Sequence, residues 1–254
     1  MKTTLFAATL VVALTLSAAA ATMKPAMSHH LAGSNKGGTQ WNGIAVPPAL
    51  CDPCLFYGGD LNPADLNAAG MSDENTLLII GGSSTYAAFA PTTTVTVTGL
   101  IVNIQADANF DPLVASYDIR SGVSEGNGGT SLASGTTNTQ VAATGRNFLG
   151  LNEYTVAVTL SAPVVLSPGE YWFNVTPQCL NSTTDGSCFD GRLFLSNTTE
   201  QTNRVGPSTG QPAHEMFLNS SFFGFTWANW CDSAIGFNTR QCSGASFGLI
   251  GEPN

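Results

Sequence analysis

The chain has 254 residues, of which 43% are hydrophobic and only 10% are charged, and its formal net charge is −9. A phosphate backbone repels a chain of this charge, which argues against nucleic-acid binding and disfavours anionic membrane surfaces for the same reason. The length fits one large all-β domain or two small ones. We favour one domain, with an ample core and a surface of hydroxyl and amide side chains.

The N-terminal residues carry the pattern of a secretory signal peptide. Lys2 precedes an apolar run over residues 5–16, and small residues with A-x-A cleavage sites follow that run. We therefore predict a signal peptide over residues 1–21, a flexible Gly/Ser-rich leader over 22–50 and a single domain over 51–254. No other run is long enough to span a bilayer, so the protein is expected to be secreted, without membrane insertion.

The six cysteines indicate disulfide bonds rather than free thiols, because the protein is expected to be exported. Six cysteines allow many pairings, and the sequence does not choose among them. The shortest loops favour three pairs: Cys51 with Cys54, Cys179 with Cys188, and Cys231 with Cys242. The Cys-Asp-Pro-Cys segment has the spacing of a redox motif, but no helical segment follows it, so we predict a structural disulfide there.

Residues 60–75 are rich in Asp and Asn and allow two interpretations. Asp60, Asn62 and Asp65 supply oxygen ligands at short spacing, which suits a structural calcium ion, the only cofactor we consider. The fifth and sixth positions depart from an EF-hand loop, which needs a ligand and a glycine there. The favoured alternative is a single helical turn with Asn62 as its N-cap.

The stretch from Val95 to Thr176 defines the fold class, because apolar and polar residues alternate in it between Gly/Pro/Asn turns. Its parity changes at Gly99, which predicts a β-bulge. The pattern predicts an all-β fold: an antiparallel two-sheet β-sandwich, jelly-roll-like and stapled by disulfides. The alternating sets are Val95 and Val97; Leu100, Val102 and Ile104; Leu113, Ala115, Tyr117 and Ile119; Tyr154, Val156, Val158 and Leu160; Tyr171, Phe173 and Val175. Further strands are predicted at 76–80, 84–89, 192–196 and 245–250.

One motif suggests nucleophilic catalysis. Residues 122–126 match the G-x-S-x-G elbow around Ser124, and His214 follows downstream. The elbow requires a strand-to-helix turn, whereas a Gly-rich loop follows here. A hairpin loop is therefore the favoured interpretation of this segment.

Carboxylates offer a second route to catalysis. Asp118, Glu153 and Glu170 fall on predicted strands, and glycoside hydrolysis needs a pair of such groups. Arg120, however, shares a strand face with Asp118, which predicts an ion pair instead. Their spacing singles out no pair, so an enzyme is the less favoured interpretation.

Four aromatic residues are candidates for ligand binding: Trp172, Phe223, Trp227 and Trp230. Their side chains are of the types that stack on sugar rings or peptide side chains. Trp172 and Asn174 lie opposite Phe173 on their strand, so we predict that they occupy its outer face. The alternative for the stretch at 222–230 is a satellite core.

The central block resembles exported jelly-roll or β-sandwich domains of bacterial surface and secreted proteins. The resemblance rests on a Gly-rich loop at 124–129, Ser-Leu-Ala-Ser-Gly at 131–135 and Leu-Ser-Pro-Gly-Glu-Tyr-Trp at 166–172. It covers roughly residues 90–176 and implies export and a β-sandwich, but no reaction.

Taken together, these patterns favour a secreted, non-catalytic binding or extracellular-matrix module. Its expected partner is a polysaccharide or an extracellular protein, contacted through exposed aromatic residues. The first alternative is an extracellular hydrolase acting on glycosides or esters. The second is a self-assembling structural coat or matrix subunit.

Overall fold

The computed structural model describes residues 48–61, 71–72, 83–106, 110, 112–148, 150–178, 193–198, 203–206, 216–221, 224–229 and 244–254. All of them belong to one compact unit, residues 39–254. Their regular structure is entirely strand, and the strands pair antiparallel. The predicted all-β, antiparallel class is therefore confirmed. Within these ranges no helix has the length and apolar character needed to cross a membrane.

The strands vary in length from two residues to nineteen, and the longest is β6. In chain order they are β1 (Cys54–Tyr57), β2 (Met71–Ser72), β3 (Ser83–Phe89), β4 (Val95–Ala106), β5 (Val114–Ser121), β6 (Thr130–Phe148), β7 (Leu151–Leu166), β8 (Tyr171–Gln178), β9 (Phe194–Leu195), β10 (Asn197–Thr198), β11 (Met216–Ser220), β12 (Phe225–Asn229), β13 (Gly244–Ala245) and β14 (Phe247–Pro253).

One hydrogen-bonded path joins most of these strands, in the order β1-β14-β4-β7-β6-β5-β8-β3-β11-β12. β9 pairs with β2 and β4, whereas β10 pairs with β13. β6 connects two parts of the path, because its N-terminal half pairs with β5 and its C-terminal half pairs with β7. We call the strands from β1 to β7 in this order the β7 half, and those from β5 to β12 the β5 half.

The main apolar core contains side chains from both halves. Phe173 of β8 contacts Phe247 of β14 at a ring-centroid distance of 5.4 Å and Phe56 of β1 at 6.1 Å. The predicted alternation on β5 is confirmed, since Ala115, Tyr117 and Ile119 are buried, although Leu113 before them is 65% exposed. Burial of each large side chain in this core contributes roughly 1.5–3 kcal/mol.

The bulge predicted at Gly99 is present, because the pairing of β4 with β7 shifts between Val97 and Gly99. The shift lets Val97 and Leu100 both face the core. Glycine is needed here because a Cβ at this position would lie only 2.8 Å from the Val158 carbonyl oxygen.

Several other strand predictions are tested by these residues. Residues 84–89 lie within β3, and the strand predicted at 192–196 is shorter, with β9 covering only Phe194–Leu195. The closing strand predicted at 245–250 is split, since β13 ends at Ala245 and β14 runs on to Pro253. Residues 76–80 lie outside the described ranges.

The outer-face prediction for Trp172 and Asn174 is wrong. Trp172 is only 4% exposed, and Asn174 is buried with its amide donating to the Thr85 carbonyl oxygen at 2.7 Å. The reason is a second apolar cluster on that face, where Phe217 packs edge-on against the Trp172 ring at 6.2 Å. Alternation within β8 cannot reveal this cover, because β11 supplies it from a distant part of the sequence.

The disulfide predicted between Cys51 and Cys54 is present, immediately before and at the start of β1. A strand, and not a helix, follows it, in agreement with a structural bond. The other predicted pairs, Cys179 with Cys188 and Cys231 with Cys242, lie outside the described residues.

Candidate functional site

The strongest concentration of polar and aromatic contacts beside an exposed loop surrounds Arg120 on β5. We define the Arg120 cluster as Tyr86, Asp118, Arg120 and Trp227. The Arg120 guanidinium donates from Nη1 to Asp118 Oδ2 at 2.7 Å and from Nε to the Gly128 carbonyl oxygen at 2.7 Å. The ion pair predicted for Asp118 and Arg120 is thus confirmed.

The Trp227 indole covers the guanidinium. Arg120 Cζ lies 4.9 Å from the centroid of the indole ring, which is a cation–π distance. The centroid of the Tyr86 ring lies 4.6 Å from the indole centroid, and the two ring planes are tilted against each other. The pairing of β11 with β12 is irregular beside Trp227, whose backbone is left-handed with a φ of 49°. A left-handed backbone costs a bulky residue roughly 1–3 kcal/mol, which the packing of the indole must offset.

An exposed hairpin at residues 123–129 lies next to this cluster. Ser124 and Asn127 exchange two backbone hydrogen bonds of 2.9 and 2.8 Å, so Glu125 and Gly126 form its tip. Two further bonds tie the tip to β12: the Gly126 amide donates to the Trp227 carbonyl oxygen at 3.1 Å, and the Asn229 amide donates to Glu125 Oε2 at 2.7 Å. The side chains of Ser124 and Asn127 face solvent.

This geometry excludes a nucleophile elbow at Ser124. The residue lies in a two-residue hairpin turn followed by β6, as the hairpin interpretation predicts, and not at a strand-to-helix turn. His214, the candidate base, lies outside the described residues.

Gly128 is the point where the hairpin and Trp227 meet. A Cβ on Gly128 would lie 2.4 Å from indole Cε2, so only glycine allows the ring to reach Arg120. The contact between the Gly128 backbone and the Trp227 indole therefore fixes the position of the hairpin, and a larger residue at 128 would break this contact.

Both oxygens of the Asp118 carboxylate accept hydrogen bonds. Oδ2 accepts from Arg120 and from the Tyr86 hydroxyl at 3.1 Å, and Oδ1 accepts from the Ser131 hydroxyl at 2.6 Å. Burial, and next the Asp118 charge, raise the pKa of Tyr86 well above its ordinary value. A carboxylate that accepts three hydrogen bonds, from Arg120, Tyr86 and Ser131, is suited to positioning the strands that carry these residues.

A second polar cluster lies where β1 and the residues after it meet β6 and β7. We define the Arg146 cluster as Tyr57, Asp60, Arg146 and Glu153. Arg146 Nη1 lies 3.1 Å from Asp60 Oδ1, and Arg146 Nε contacts Glu153 Oε2. The Tyr57 hydroxyl donates to Asp60 at 2.6 Å and accepts from the Asn103 amide at 2.8 Å.

Glu153 is the most enclosed carboxylate of this cluster, since its side chain is 0% exposed. Oε2 also accepts from the Thr144 hydroxyl at 2.8 Å, whereas Oε1 is buried without a hydrogen-bond partner. Burial by itself lowers the pKa of Arg146. The negative charges of Glu153 and Asp60 outweigh this effect, so the pKa of Arg146 is raised overall. A buried carboxylate of this kind depends on its one arginine.

Asp60, predicted as a calcium ligand, belongs to this cluster. Its Oδ1 faces Tyr57 and Arg146, and its Oδ2 accepts from the Asn203 amide at 2.6 Å. Asn62 and Asp65 lie outside the described residues. No group of three potential metal-binding side chains occurs in the part of the chain that the structure describes, and calcium binding stays a prediction.

The structure describes two of the four predicted aromatic site residues. Trp172 and Trp227 are 4% and 9% exposed and belong to one apolar cluster, which for Trp227 agrees with the satellite core that was the alternative for 222–230. Ligand binding by these aromatic residues stays a prediction. Phe223 and Trp230 lie outside the described residues. Sequence reasoning did not find Tyr86 and Gly128, and the Asp-x-Arg pattern on β5 was the only signal pointing to this place.

Comparison with known proteins adds no identity to this geometry. No protein family, no curated protein and no solved structure matches the chain.

Proposed function

We propose that the chain is a secreted, non-catalytic binding module of extracellular matrix or surface, and that its binding surface is the hairpin at residues 123–129. The fold that suits this role is a two-sheet sandwich of jelly-roll type, related to exported domains of bacterial surface proteins. The ring contacts between the β5 half and the β7 half support the two-sheet arrangement.

One observation carries the proposal: the exposed hairpin is held from below by the Arg120 cluster. Arg120 binds its Gly128 carbonyl, and β12 binds its tip through Gly126 and Glu125. A loop held in one conformation loses less entropy when it binds a partner than a free loop does. Such support under an exposed loop is typical of recognition surfaces.

The chemistry of this surface favours a neutral polysaccharide as the partner. Ser124 presents a hydroxyl, Asn127 presents its amide nitrogen, and the exposed hydroxyl of Thr130 follows the hairpin at the start of β6. These groups donate to and accept from sugar hydroxyls without ionic attraction. The net charge of −9 disfavours anionic polymers. Phe223 and Trp230 are the proposed stacking residues.

The state of the carboxylates supports binding without catalysis. Asp118 is held by Arg120, Tyr86 and Ser131, and Glu153 is held by Arg146 and Thr144. A catalytic pair needs one free base or nucleophile and one proton donor facing a shared cleft. Both of these carboxylates instead bind arginine.

Retention on a panel of insoluble neutral polysaccharides tests the proposal. We expect the purified chain to be retained, and the Ser124→Ala/Thr130→Ala variant to elute early, because it lacks two exposed hydroxyls. The matched control is Thr92→Ala/Thr93→Ala, which removes two exposed hydroxyls from the connection between β3 and β4, outside the hairpin. Failure of the chain to bind any polymer, or equal retention of both variants, would contradict the proposal.

A further inference from the structure

The N-terminal half of β6 is an open sheet edge. From Thr130 to Asn138 the strand pairs with β5 on one side only, because its pairing with β7 begins at Thr139. Within the described ranges, the backbone groups of this segment that point away from β5 have no hydrogen-bond partner. Most of its side chains are exposed as well.

This edge lacks the usual protection against strand pairing. Natural sheets guard long edges with Lys, with other charges or with proline. Residues 130–145 contain no proline and no charged residue. One bulge is present, at Leu132, which lies between the partners of Ile119 and Arg120 and is 45% exposed. The regular stretch available for pairing is therefore Ala133 to Asn138.

The open end of β7 shows what protection looks like in the same molecule. Among the residues that the structure describes, β7 beyond Val158 also has no strand partner on its β6 side. There Pro163 removes one donor, and the Ser161 amide donates to the Tyr117 hydroxyl at 3.2 Å. The β7 edge is protected by the Tyr117 hydroxyl and by Pro163, whereas the described residues offer no such protection to the β6 edge.

We infer that a second copy of this chain binds to residues 133–138 of β6, forming an antiparallel strand pair across a two-fold axis. The unpaired amides and carbonyls require an extended strand as occupant. Two copies of a chain with a net charge of −9 repel each other wherever their charged residues meet. Residues 130–145 carry no charge, so two copies can pair there without like charges facing each other. Antiparallel pairing of identical segments also closes the assembly as a dimer.

The association is expected to be weak and sensitive to salt. Pairing of this short segment buries less than the roughly 1,600 Å² of a standard interface, so we expect a transient association that dissociates in roughly the micromolar to millimolar range. The net charge opposes the approach of two copies over longer distances, so added salt should favour the dimer by screening it. The inference does not depend on what the hairpin binds.

Sedimentation of the purified full chain over this concentration range, at low and high salt, tests the inference. We expect the monomer to convert to a dimer as concentration and salt rise. The Ser134→Lys/Thr136→Lys variant should remain a monomer, because it places like charges opposite each other in the pair. The control, Thr92→Lys/Thr93→Lys, adds the same charge at exposed positions elsewhere and should still dimerise.

Hydrogen exchange gives a second readout that does not rely on a variant. The amides of 133–138 should exchange several-fold more slowly in the dimer than in the monomer, while the 123–129 hairpin is unchanged. A chain that stays monomeric throughout overturns the inference. So does a dimer that persists in the β6 variant, or protection confined to another segment.

Discussion

The Arg120 and Arg146 clusters are built from the same parts, yet they do different work. In each, an arginine binds a carboxylate that also accepts from a tyrosine hydroxyl: Tyr86 for Asp118 and Tyr57 for Asp60. The Arg146 cluster adds Glu153, which is completely enclosed. The Arg120 cluster instead adds the indole of Trp227 and an exposed hairpin.

The same arginine, carboxylate and tyrosine arrangement therefore stabilises the fold in one place and supports a surface loop in the other. The Arg146 cluster joins the segment at 48–61, including β1 and the disulfide, to β6 and β7. Leaving its buried charges unpaired would cost several kcal/mol of folding free energy, so this cluster holds distant parts of the chain together. The Arg120 cluster contains no completely enclosed carboxylate and holds a surface loop, so its loss should disturb the hairpin before it disturbs the fold.

Replacing Arg146 should have the largest effect. Arg146→Met leaves the buried Glu153 carboxylate without the cation that it contacts, and we expect a loss of roughly 3–5 kcal/mol in the free energy of unfolding. Arg120→Met should lose only about 1–2 kcal/mol, because Asp118 is 14% exposed and keeps its hydrogen bonds from Tyr86 and Ser131. Denaturant unfolding measures both. Equal losses, or a larger loss for Arg120→Met, would remove the distinction between the clusters.

The Trp227→Ala substitution should come next. It removes an indole that packs on Tyr86 and Arg120, at a cost of about 3 kcal/mol. Hydrogen exchange should rise at 123–129 and stay unchanged at β1. Uniform loosening of both regions would show that the hairpin is not held by this residue in particular. Arg146→Met is the matched control, since it should loosen β1 instead.

The close contact at Gly128 allows a finer test. Gly128→Ala places a Cβ against the indole, which should displace Trp227 and cost roughly 1–3 kcal/mol. Gly126→Ala strains the same hairpin through its φ of 71° but meets no atom within 4 Å. Tryptophan fluorescence should therefore change in the first variant and not in the second. The same spectrum in both would argue against the contact.

Alkaline pH should produce the smallest and most general effect. Burial, and next the charges of Asp60 and Asp118, raise the pKa values of Tyr57 and Tyr86 above that of an unfolded tyrosine, about 10. The unfolded chain therefore loses these protons first, and stability that is complete below pH 10 falls as the pH rises above it. The Tyr57→Phe/Tyr86→Phe variant should show a shallower decline. An unchanged slope would contradict the assignment.

How far the sequence predicts this structure depends on the distance between interacting residues. Alternation predicted the buried face of β5 and the bulge at Gly99, because these depend on neighbours within one or two strands. The Asp118 to Arg120 pair and the Cys51 to Cys54 disulfide were predictable for the same reason. Each is set by local spacing.

The burial of Trp172 and the cluster around Trp227 were not predictable in this way. β12 and β5 are about a hundred residues apart in sequence, and no periodicity indicates that the indole of one covers the guanidinium of the other. The Arg146 cluster is equally non-local, since Asp60 and Glu153 meet only through the folded sheet. Contacts of this kind depend on topology, which alternation leaves open.

The most direct test of binding without catalysis measures two quantities in one experiment. The full chain is incubated with the insoluble polysaccharides, and both the bound protein and the soluble sugar released are measured over time. We predict bound protein with no release of sugar. Release that disappears in Asp118→Asn or Glu153→Gln would contradict the account and would make the arginine-bound carboxylates part of an active site.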